Sequence, residues 1–487
     1  MCFSPFAQGH GHGHDSAIYA AIGNALNNGR TLYTGIIDNK GPLLYFIDAI
    51  GLQINYNFGI FFIEFVFLII GTIFAYKTTL LITKNNKWLS CLSVIFTMLM
   101  LVYTLDGGNY TEEYAILFTN IATYFVVKFI KNNYDLKWFE LVIVGICYAA
   151  TFLLRANLCA FFVAQILVIL FSMIKDKKYK KLLRAMGYVF LGILLFVTPF
   201  LIYLIKTNSL NECLGFVYFG VVNSFEKVYL MERFNKVTGL IEISNNSNVF
   251  TIAFISFILF IATYKTEKNK KTILIMTFIG IIINLYANSL TGGPAWAYTH
   301  YFISFVPILM ITSAWFFNYV YSSIEKTKIS KEIRVLIYVL LTLTLITTPA
   351  KELLKTSVTR ANFKSPESNL MEKYIIDNTT EKDTIQIIGV NDTIYYPTNR
   401  ISTSKHLYFV AGFSEDRRRN DANELATDLY NAEKKSKIIM LPSGNLEDLV
   451  FVNSLSDKNE FLRFIKKYYQ FDELASAQLN CNVFQLK

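Results

Sequence analysis

The sequence predicts an all-α polytopic membrane bundle followed by a small C-terminal extracytoplasmic α/β domain. Hydrophobic residues make up 53% of the chain, charged residues make up only 17%, and the mean hydropathy is +0.37. The apolar residues occur in runs of about 17–22, the length at which a helix spans the hydrocarbon core of a bilayer. After residue 350 these runs shorten and charged residues become more frequent, which indicates a separate domain.

The apolar runs predict about ten membrane spans. These are 58–76, 88–104, 113–130, 138–154, 157–174, 185–206, 249–264, 272–290, 302–322 and 334–349. The polar start of the chain follows no apolar run and no signal peptide. We therefore expect that a first span is missing; the alternative is that the short polar N-terminus crosses the membrane unaided.

Lysine and arginine are concentrated in alternate loops. Five such loops are basic, and they begin near Lys77, Lys128, Lys175, Lys265 and Lys326. The short loops 105–112, 155–156 and 291–301 carry one cation or none. By the positive-inside rule the basic loops face the cytoplasm. This predicts a protein of the cytoplasmic membrane whose other loops, N-terminal region and C-terminal domain are extracytoplasmic.

Three regions follow from this topology. Residues 1–57 are predicted to form an outer first loop with an interfacial helix, 58–349 the transmembrane helical domain, and 350–487 the extracytoplasmic domain. The interfacial or re-entrant helix is placed at 43–56. In the last region the pattern predicts strands at 384–390 and 437–441 and helices at 420–434 and 459–469.

The placement of charge argues against a nucleic-acid-binding protein, and the cysteine spacing argues against a disulfide-rich or zinc-binding protein. The net charge of +10 lies in the loops between spans, where it reflects topology and not nucleic-acid binding. The six cysteines show no paired spacing, so neither a disulfide framework nor a zinc motif is indicated.

Four polar clusters fall on the predicted outer side. The first is Asp15 with Asp38 and Lys40, in a stretch that ends in a Lys-Gly-Pro turn. A carboxylate at the water boundary of an apolar bundle can act as a general base. A neighbouring lysine would keep it ionised or would bind a phosphate. The alternative is ordinary loop charge.

The second cluster is the acidic loop 106–113, which contains Asp106, Asn109, Glu112 and Glu113. Capping by Thr111 and the preference for acids in a first helical turn would explain one glutamate. We expect a catalytic role for at least one of Glu112 and Glu113. We expect Asp106 and Asn109, together with Asp38 and Asn157, to bind substrate.

The third cluster is Arg155 with Asn157, between two apolar runs. Arginine can hold a lipid phosphate bidentately, although at a membrane edge it can also simply snorkel. The fourth cluster, 292–301, ends in His300 and Tyr301. His300 could bind a phosphate or a sugar hydroxyl; the alternative is an aromatic belt at the interface.

A histidine-glycine alternation precedes Asp15. His12 and His14 could bind a metal with Asp15, whereas the alternative is a flexible, solvated terminus. No cofactor is certain from the sequence, and a divalent metal is left open.

The first outer loop carries a family resemblance. Asp15, Tyr19, Lys40, Gly41 and Pro42 match a loop of the form Asp-x-x-x-Tyr … Lys-Pro-Pro, with glycine in place of one proline. In this, and in its second acidic outer loop, the chain resembles the GT-C superfamily of membrane glycosyltransferases. It is similar to bacterial homologues of the protein O-mannosyltransferases and to the lipid A aminoarabinose transferase.

The resemblance implies a sugar donor linked to a polyprenyl phosphate and an acceptor outside the membrane that is a lipid, a glycan or a protein. It implies that Asp15 deprotonates the acceptor and that Glu112 or Glu113 is a second acid. Lys40 and Arg155, joined by His300 and Tyr301, would bind the donor phosphate.

Two other functions compete with this interpretation. A transporter or flippase of lipid-linked sugars should carry charged residues at mid-membrane and internal repeats, and the sequence shows few such charges and no clear repeat. An O-antigen-type polymerase would use a large outer loop with several arginines, whereas loop 207–248 contains only Arg233.

Overall fold

The computed structural model describes residues 13–99, 101–104, 108–219, 268–289, 298–327, 329–361, 366–408 and 414–487, with residues 231, 232, 235 and 238. The described part of the chain is mostly helical and ends in a small sheet. Its helices before residue 220 are α1 (His14–Asn27), α2 (Pro42–Ile54), α3 (Gly59–Ile82), α4 (Lys87–Leu99), α5 (Leu101–Thr104), α6 (Thr111–Lys131), α7 (Trp138–Leu154), α8 (Ala160–Lys175), α9 (Tyr179–Lys206) and α10 (Leu210–Cys213).

The helices that are described after residue 267 complete the bundle and surround the sheet. They are α11 (Lys268–Ser289), α12 (Val306–Glu325), α13 (Lys331–Ala361), α14 (Pro366–Asn378), α15 (Tyr395–Thr398), α16 (Glu415–Asn431), α17 (Val450–Ser454), α18 (Lys458–Tyr468) and α19 (Glu473–Leu479). Short 3-10 helices lead directly into three of them: Ala156–Cys159 precedes α8, Thr299–Phe305 precedes α12 and Asp392–Ile394 precedes α15.

Six of the described helices are long and apolar enough to cross a membrane: Gly59–Ile82, Thr111–Lys131, Ala156–Lys175, Tyr179–Lys206, Asn269–Ser289 and His300–Glu325. Each coincides with a predicted span. The predicted spans 88–104 and 138–154 correspond to the shorter apolar helices α4 and α7. The predicted span 249–264 lies outside the described residues, and 334–349 falls within α13, which continues to Ala361. The total of ten spans therefore stays a prediction.

The C-terminal sheet has five strands in the order β2-β1-β3-β5-β4. They are β1 (Thr384–Ile387), β2 (Ile401–Ser402), β3 (Ile438–Pro442), β4 (Tyr469–Phe471) and β5 (Cys481–Leu486). β1 is parallel to both β2 and β3, whereas β5 is antiparallel to β3 and β4. β1 and β3 lie where the apolar runs predict strands. The sequence analysis did not predict β2, β4 and β5.

The first loop contains a helix that the sequence analysis did not predict. Residues 14–27 form α1, in which Ala17, Ala20, Ala21 and Ala25 are buried. Alanine is the strongest helix former, and its small side chain lets other elements approach closely. The alanines therefore favour the helix and allow neighbouring elements to pack closely on it. Helix α2 follows and covers most of the stretch 43–56 that the sequence predicts as helical.

The C-terminal domain packs directly on α1 and α2. Buried side chains of these helices form one hydrophobic cluster with one face of the sheet. Tyr56 and Tyr396 each donate a hydroxyl hydrogen bond to the other's carbonyl oxygen, at 2.6 and 2.8 Å. Arg30 donates to the carbonyl of Ser402 at 2.9 Å. These contacts fix the domain over the end of the bundle from which the first loop emerges.

Candidate active site

Helix α1 presents Asp15 in its first turn, with Tyr19 one turn later. The Tyr19 hydroxyl donates a hydrogen bond to Asp15 Oδ2 at 3.0 Å. Residues four apart lie on the same face of a helix, which explains why an Asp-x-x-x-Tyr spacing places the two groups together. Tyr19 is buried, whereas the Asp15 side chain is 42% exposed. Asp15 is therefore anchored on one side and open to solvent on the other.

His14 lies between Asp15 and a residue of the C-terminal domain. Its Nε2 is 2.9 Å from Asp392 Oδ1, and its Nδ1 is 3.4 Å from Asp15 Oδ1. The hydrogen bonds to Asp15 and Asp392 raise the pKa of His14 to about 10. Burial opposes ionisation of Asp15, but the hydrogen bond from His14 and the charge of Lys40 hold the pKa of Asp15 below its usual value. Asp15 is therefore a carboxylate at neutral pH.

Lys40 lies at the end of the first loop, next to α1. Its Nζ donates to Asn39 Oδ1 at 2.6 Å and lies 5.5 Å from the centroid of the Tyr19 ring. Gly41 follows, and its N–H donates to the carbonyl of Leu154 at 3.0 Å. A proline at position 41 would lack that N–H. The glycine that departs from the family motif is thus the residue that joins the Lys40 turn to the end of α7.

Gly41→Ala is expected to destabilise the protein by about 1–3 kcal/mol, the usual cost of overpacking. A Cβ at this position would lie 2.0 Å from the carbonyl oxygen of Leu153, a backbone atom that cannot rotate away. Thermal unfolding of the purified protein measures the effect. Gly187→Ala is the matched control, because no atom lies within 4 Å of its Cβ position. Equal stability of the two variants would contradict the prediction.

Arg155 and Glu112, which the sequence analysis assigned separately, form one ion pair. Arg155 Nη1 lies 2.7 Å from Glu112 Oε1, and the Glu112 side chain is 1% exposed. The second guanidinium nitrogen donates to the Tyr301 hydroxyl at 3.2 Å. Thr111 donates to the other carboxylate oxygen of Glu112 at 2.8 Å. Through Arg155, which directly follows α7, the pair connects the first turn of α6 to the 3-10 helix before α12.

His300 lies among the other candidate residues. Its ring stacks on Tyr110 with centroids 4.5 Å apart, and it is 7% exposed. The charges that act on His300 are those of Glu112, Arg155, Asp15 and Lys40. Four separate segments of the chain thus bring Asp15, Lys40, Glu112, Arg155 and His300 into one electrostatic neighbourhood.

Asp38 is buried beneath this group, at 2% exposure. It accepts hydrogen bonds from the Tyr45 hydroxyl at 2.5 Å and from the Tyr408 hydroxyl at 2.6 Å. Tyr408 and Asp392 belong to the C-terminal domain, and the sequence analysis did not predict either as a site residue. The Gly-Val-Asn-Asp sequence at the end of the first predicted strand, 389–392, is a signal that could have indicated Asp392. No comparable signal precedes Tyr408.

The other predicted site residues that the structure describes form hydrogen bonds to other parts of the protein. Glu113 accepts from the N–H of Tyr110 at 3.1 Å and caps α6, where the N-cap is Tyr110 and not Thr111 as expected. Asn109 is fully buried, and its side chain donates to Asp48 and accepts from Tyr114. Asn157 donates to Asn288 at 3.3 Å. Asp106 and His12 lie outside the described residues.

The histidine-glycine segment does not provide a free metal ligand in the described residues. Both ring nitrogens of His14 face carboxylates, and a protonated imidazole has no lone pair to offer a metal. Within the described chain, His406, Asp421 and Glu424 have ligand atoms within 4.8 Å of one another. There Arg417 pairs with Asp421, and Lys405 pairs with Glu424, so lysine and arginine already neutralise both acids.

Solved structures share this fold over nearly the whole chain. ArnT from Cupriavidus metallidurans bound to undecaprenyl phosphate has a TM-score of 0.59 and 11% identity, with 98% of this chain and 94% of that chain covered. The apo state of the same protein gives 0.57, with the same identity and coverage. The apo oligosaccharyltransferase of Archaeoglobus fulgidus gives 0.50 and 12% identity, with 90% of this chain and 66% of that chain covered. The resemblance to the GT-C superfamily predicted from the first loop is confirmed at the level of fold.

The sequence itself matches one family. No curated protein matches it significantly. Residues 5–291, more than half of the chain, match the family described as "Putative competence-induced protein Ccs4 N-terminal domain". This protein is therefore a member of the Ccs4 N-terminal domain family, and it has the GT-C fold.

Proposed function

We propose that the protein is a membrane glycosyltransferase. It moves a sugar from a polyprenyl-phosphate-linked donor to an acceptor hydroxyl on the outer face of the cytoplasmic membrane. The observation that carries the proposal is the partly exposed carboxylate of Asp15 beside Lys40. The fold that holds these residues is similar to that of ArnT bound to undecaprenyl phosphate over 98% of this chain. A base and a phosphate ligand next to each other are the two groups that such a transfer requires.

The transfer exchanges one bond to the sugar for another. The acceptor oxygen bonds to the anomeric carbon, and its proton passes to Asp15. The bond from the anomeric carbon to the phosphate oxygen breaks, and its electron pair leaves with the polyprenyl phosphate. Negative charge therefore grows on the phosphate in the transition state, where a fixed cation is most effective.

Lys40 is the main cation for this phosphate. Its ammonium group contacts the neutral amide oxygen of Asn39, so its charge is not cancelled by that contact. The guanidinium of Arg155 is already paired with Glu112 and bonded to Tyr301. Arg155 thus contributes a partly neutralised charge, and His300 and Tyr301 add polar contacts at its side.

His14→Ala is expected to move the acid limb of the kcat/KM profile to higher pH. The hydrogen bond from His14 keeps the pKa of Asp15 low, so its loss raises that pKa, and Asp15 becomes protonated sooner as the pH falls. The profile of kcat/KM reports the pKa of the free enzyme. The rate at neutral pH should change far less than the rate in acid. An acid limb at the wild-type position would contradict this role for His14.

The proposal is tested by transfer from synthetic donors. Membranes that contain the full-length protein are given a panel of polyprenyl-phosphate sugars with a labelled sugar, and products are separated from the donor. Label in a product that depends on the protein supports the proposal. Movement of labelled lipid between leaflets without any transfer would favour a flippase. Growth of a repeating polymer would favour an O-antigen-type polymerase.

A further inference from the structure

An apolar crevice of about 230 Å³ lies at the other end of the bundle from Arg155. Helices α8 and α9 form its sides, and α6 and α7 form its floor. On its edge, Ile166, Met186 and Phe190 are 42%, 51% and 59% exposed. The crevice therefore opens sideways, onto the surface that faces lipid in a membrane.

The shape of the crevice follows from one tight helix crossing. A Cβ on Gly145 of α7 would lie 2.0 Å from the carbonyl oxygen of Val189 in α9, so the two backbones are in direct contact. Small residues allow such close approach between membrane helices. The contact holds α9 against α7, while α8 lies on the far side of the gap.

The end of the crevice lies next to a concentration of positive charge. Two short connections, 132–137 and 176–178, lie side by side there, because Lys178 Nζ donates a hydrogen bond to Asn133 Oδ1. Each acid at this end has a lysine partner: Asp135, Glu140 and Asp176 pair with Lys181, Lys128 and Lys178. Several exposed cations form no ion pair with a carboxylate among the described residues: Lys175, Lys177, Lys180 and Arg184.

Aromatic residues mark this level as a membrane interface. Trp138 and Tyr179 begin α7 and α9 and are 55% and 53% exposed, as in the belts at membrane surfaces. From Leu182 to Ile193 the crevice follows α9 for about 16 Å, a length that suits a fatty acyl chain. The 17-residue helix α7 separates this end from Arg155 by about 25 Å.

We propose that this crevice binds an acyl chain of an anionic phospholipid whose headgroup lies on the exposed cations, above all Lys177 and Lys180. The apolar wall of the crevice suits a lipid acyl chain, and the excess of cations over acids at its end favours an anionic headgroup. The distance from Arg155 makes it a second lipid site, separate from the donor phosphate. The inference does not depend on the proposed transferase activity.

The test uses phosphatidylglycerol with a photoreactive acyl chain and the purified full-length protein. We expect label on residues 166–170 and 182–193. Unlabelled phosphatidylglycerol should compete at lower concentration than phosphatidylcholine, by roughly fivefold for each cation engaged. Equal competition by the two lipids, or label spread evenly over the bundle, would overturn the proposal. Competition by polyprenyl phosphate but not by phosphatidylglycerol would assign the crevice to the donor tail instead.

Two variants separate the headgroup from the chain. The double substitution Lys177→Gln and Lys180→Gln should weaken competition by phosphatidylglycerol, whereas the matched pair Lys326→Gln and Lys331→Gln, at another basic connection, should not. Ala185→Phe fills the crevice and should abolish labelling. If the two lysine pairs behave alike, the headgroup assignment is wrong, and this result does not depend on whether the Ala185 variant folds.

Discussion

Replacing Asp15 by Asn is expected to lower the rate of sugar transfer by roughly 10²–10⁴-fold, the usual contribution of a positioned general base. The amide has nearly the size of the carboxylate. Its oxygen can still accept the hydrogen bond from the Tyr19 hydroxyl, which lies 3.0 Å from Asp15 Oδ2. It cannot take a proton from the acceptor hydroxyl. Initial rates with equal amounts of folded protein measure the loss.

A second carboxylate provides the control for this substitution. Asp377 is exposed near the end of α14, and Asp377→Asn should leave the transfer rate unchanged. Thermal unfolding of both variants shows whether either change affects the fold. A fully active Asp15→Asn variant would remove Asp15 as the base. It would leave the fold assignment intact and would make Glu112 the next carboxylate to replace.

Arg155→Met is expected to destabilise the protein by about 3–5 kcal/mol, the usual consequence of removing one partner of a buried ion pair. Glu112 would remain as a charge in a side chain that is 1% exposed. The Tyr301 hydroxyl would also lose the hydrogen bond that Arg155 donates. Unfolding of the purified protein, followed by tryptophan fluorescence, measures the change.

The double variant distinguishes a structural role of this pair from a functional one. Glu112→Gln combined with Arg155→Met removes both charges, so most of the lost stability should return. If transfer stays low in this stable protein, the pair acts on the substrate. Lys128→Met is a control, because Lys128 pairs with Glu140 at 2.6 Å but is 30% exposed. This substitution should destabilise the protein less than Arg155→Met does, and it should leave the transfer rate unchanged. An Arg155→Met variant as stable as wild type would contradict the expected cost.

Most of the candidate site could be predicted from the sequence because a bilayer requires apolar residues inside it and places polar residues at its boundaries. Polar residues between two apolar runs must lie at a membrane boundary, and alternate boundaries fall on the same side. Asp15, Lys40, Arg155 and His300 could therefore be grouped even though they are far apart in sequence. The motif around Asp15 and Lys40 also identified the superfamily whose fold the chain shares.

Pairing within the group could not be predicted, because it depends on atomic distances. The sequence assigned Glu112 to an acid role and Arg155 to phosphate binding, whereas the structure joins them in one buried ion pair. The sequence treated Asn109 as a substrate ligand, and in the structure its side chain bonds to Asp48 and Tyr114. A loop residue can face a substrate or its own protein, and composition does not distinguish the two.

The sequence by itself determined the apolar helices, the grouping of the polar clusters, and the motif that centres on Asp15. Hydrophobic length and charge placement are local properties, so they can be read along the chain. Only the tertiary structure decided that α1 is a buried helix and that Asp392 and Tyr408 of the C-terminal domain reach His14 and Asp38. Those contacts join residues more than 300 positions apart, and their energy depends on packing that no local pattern records.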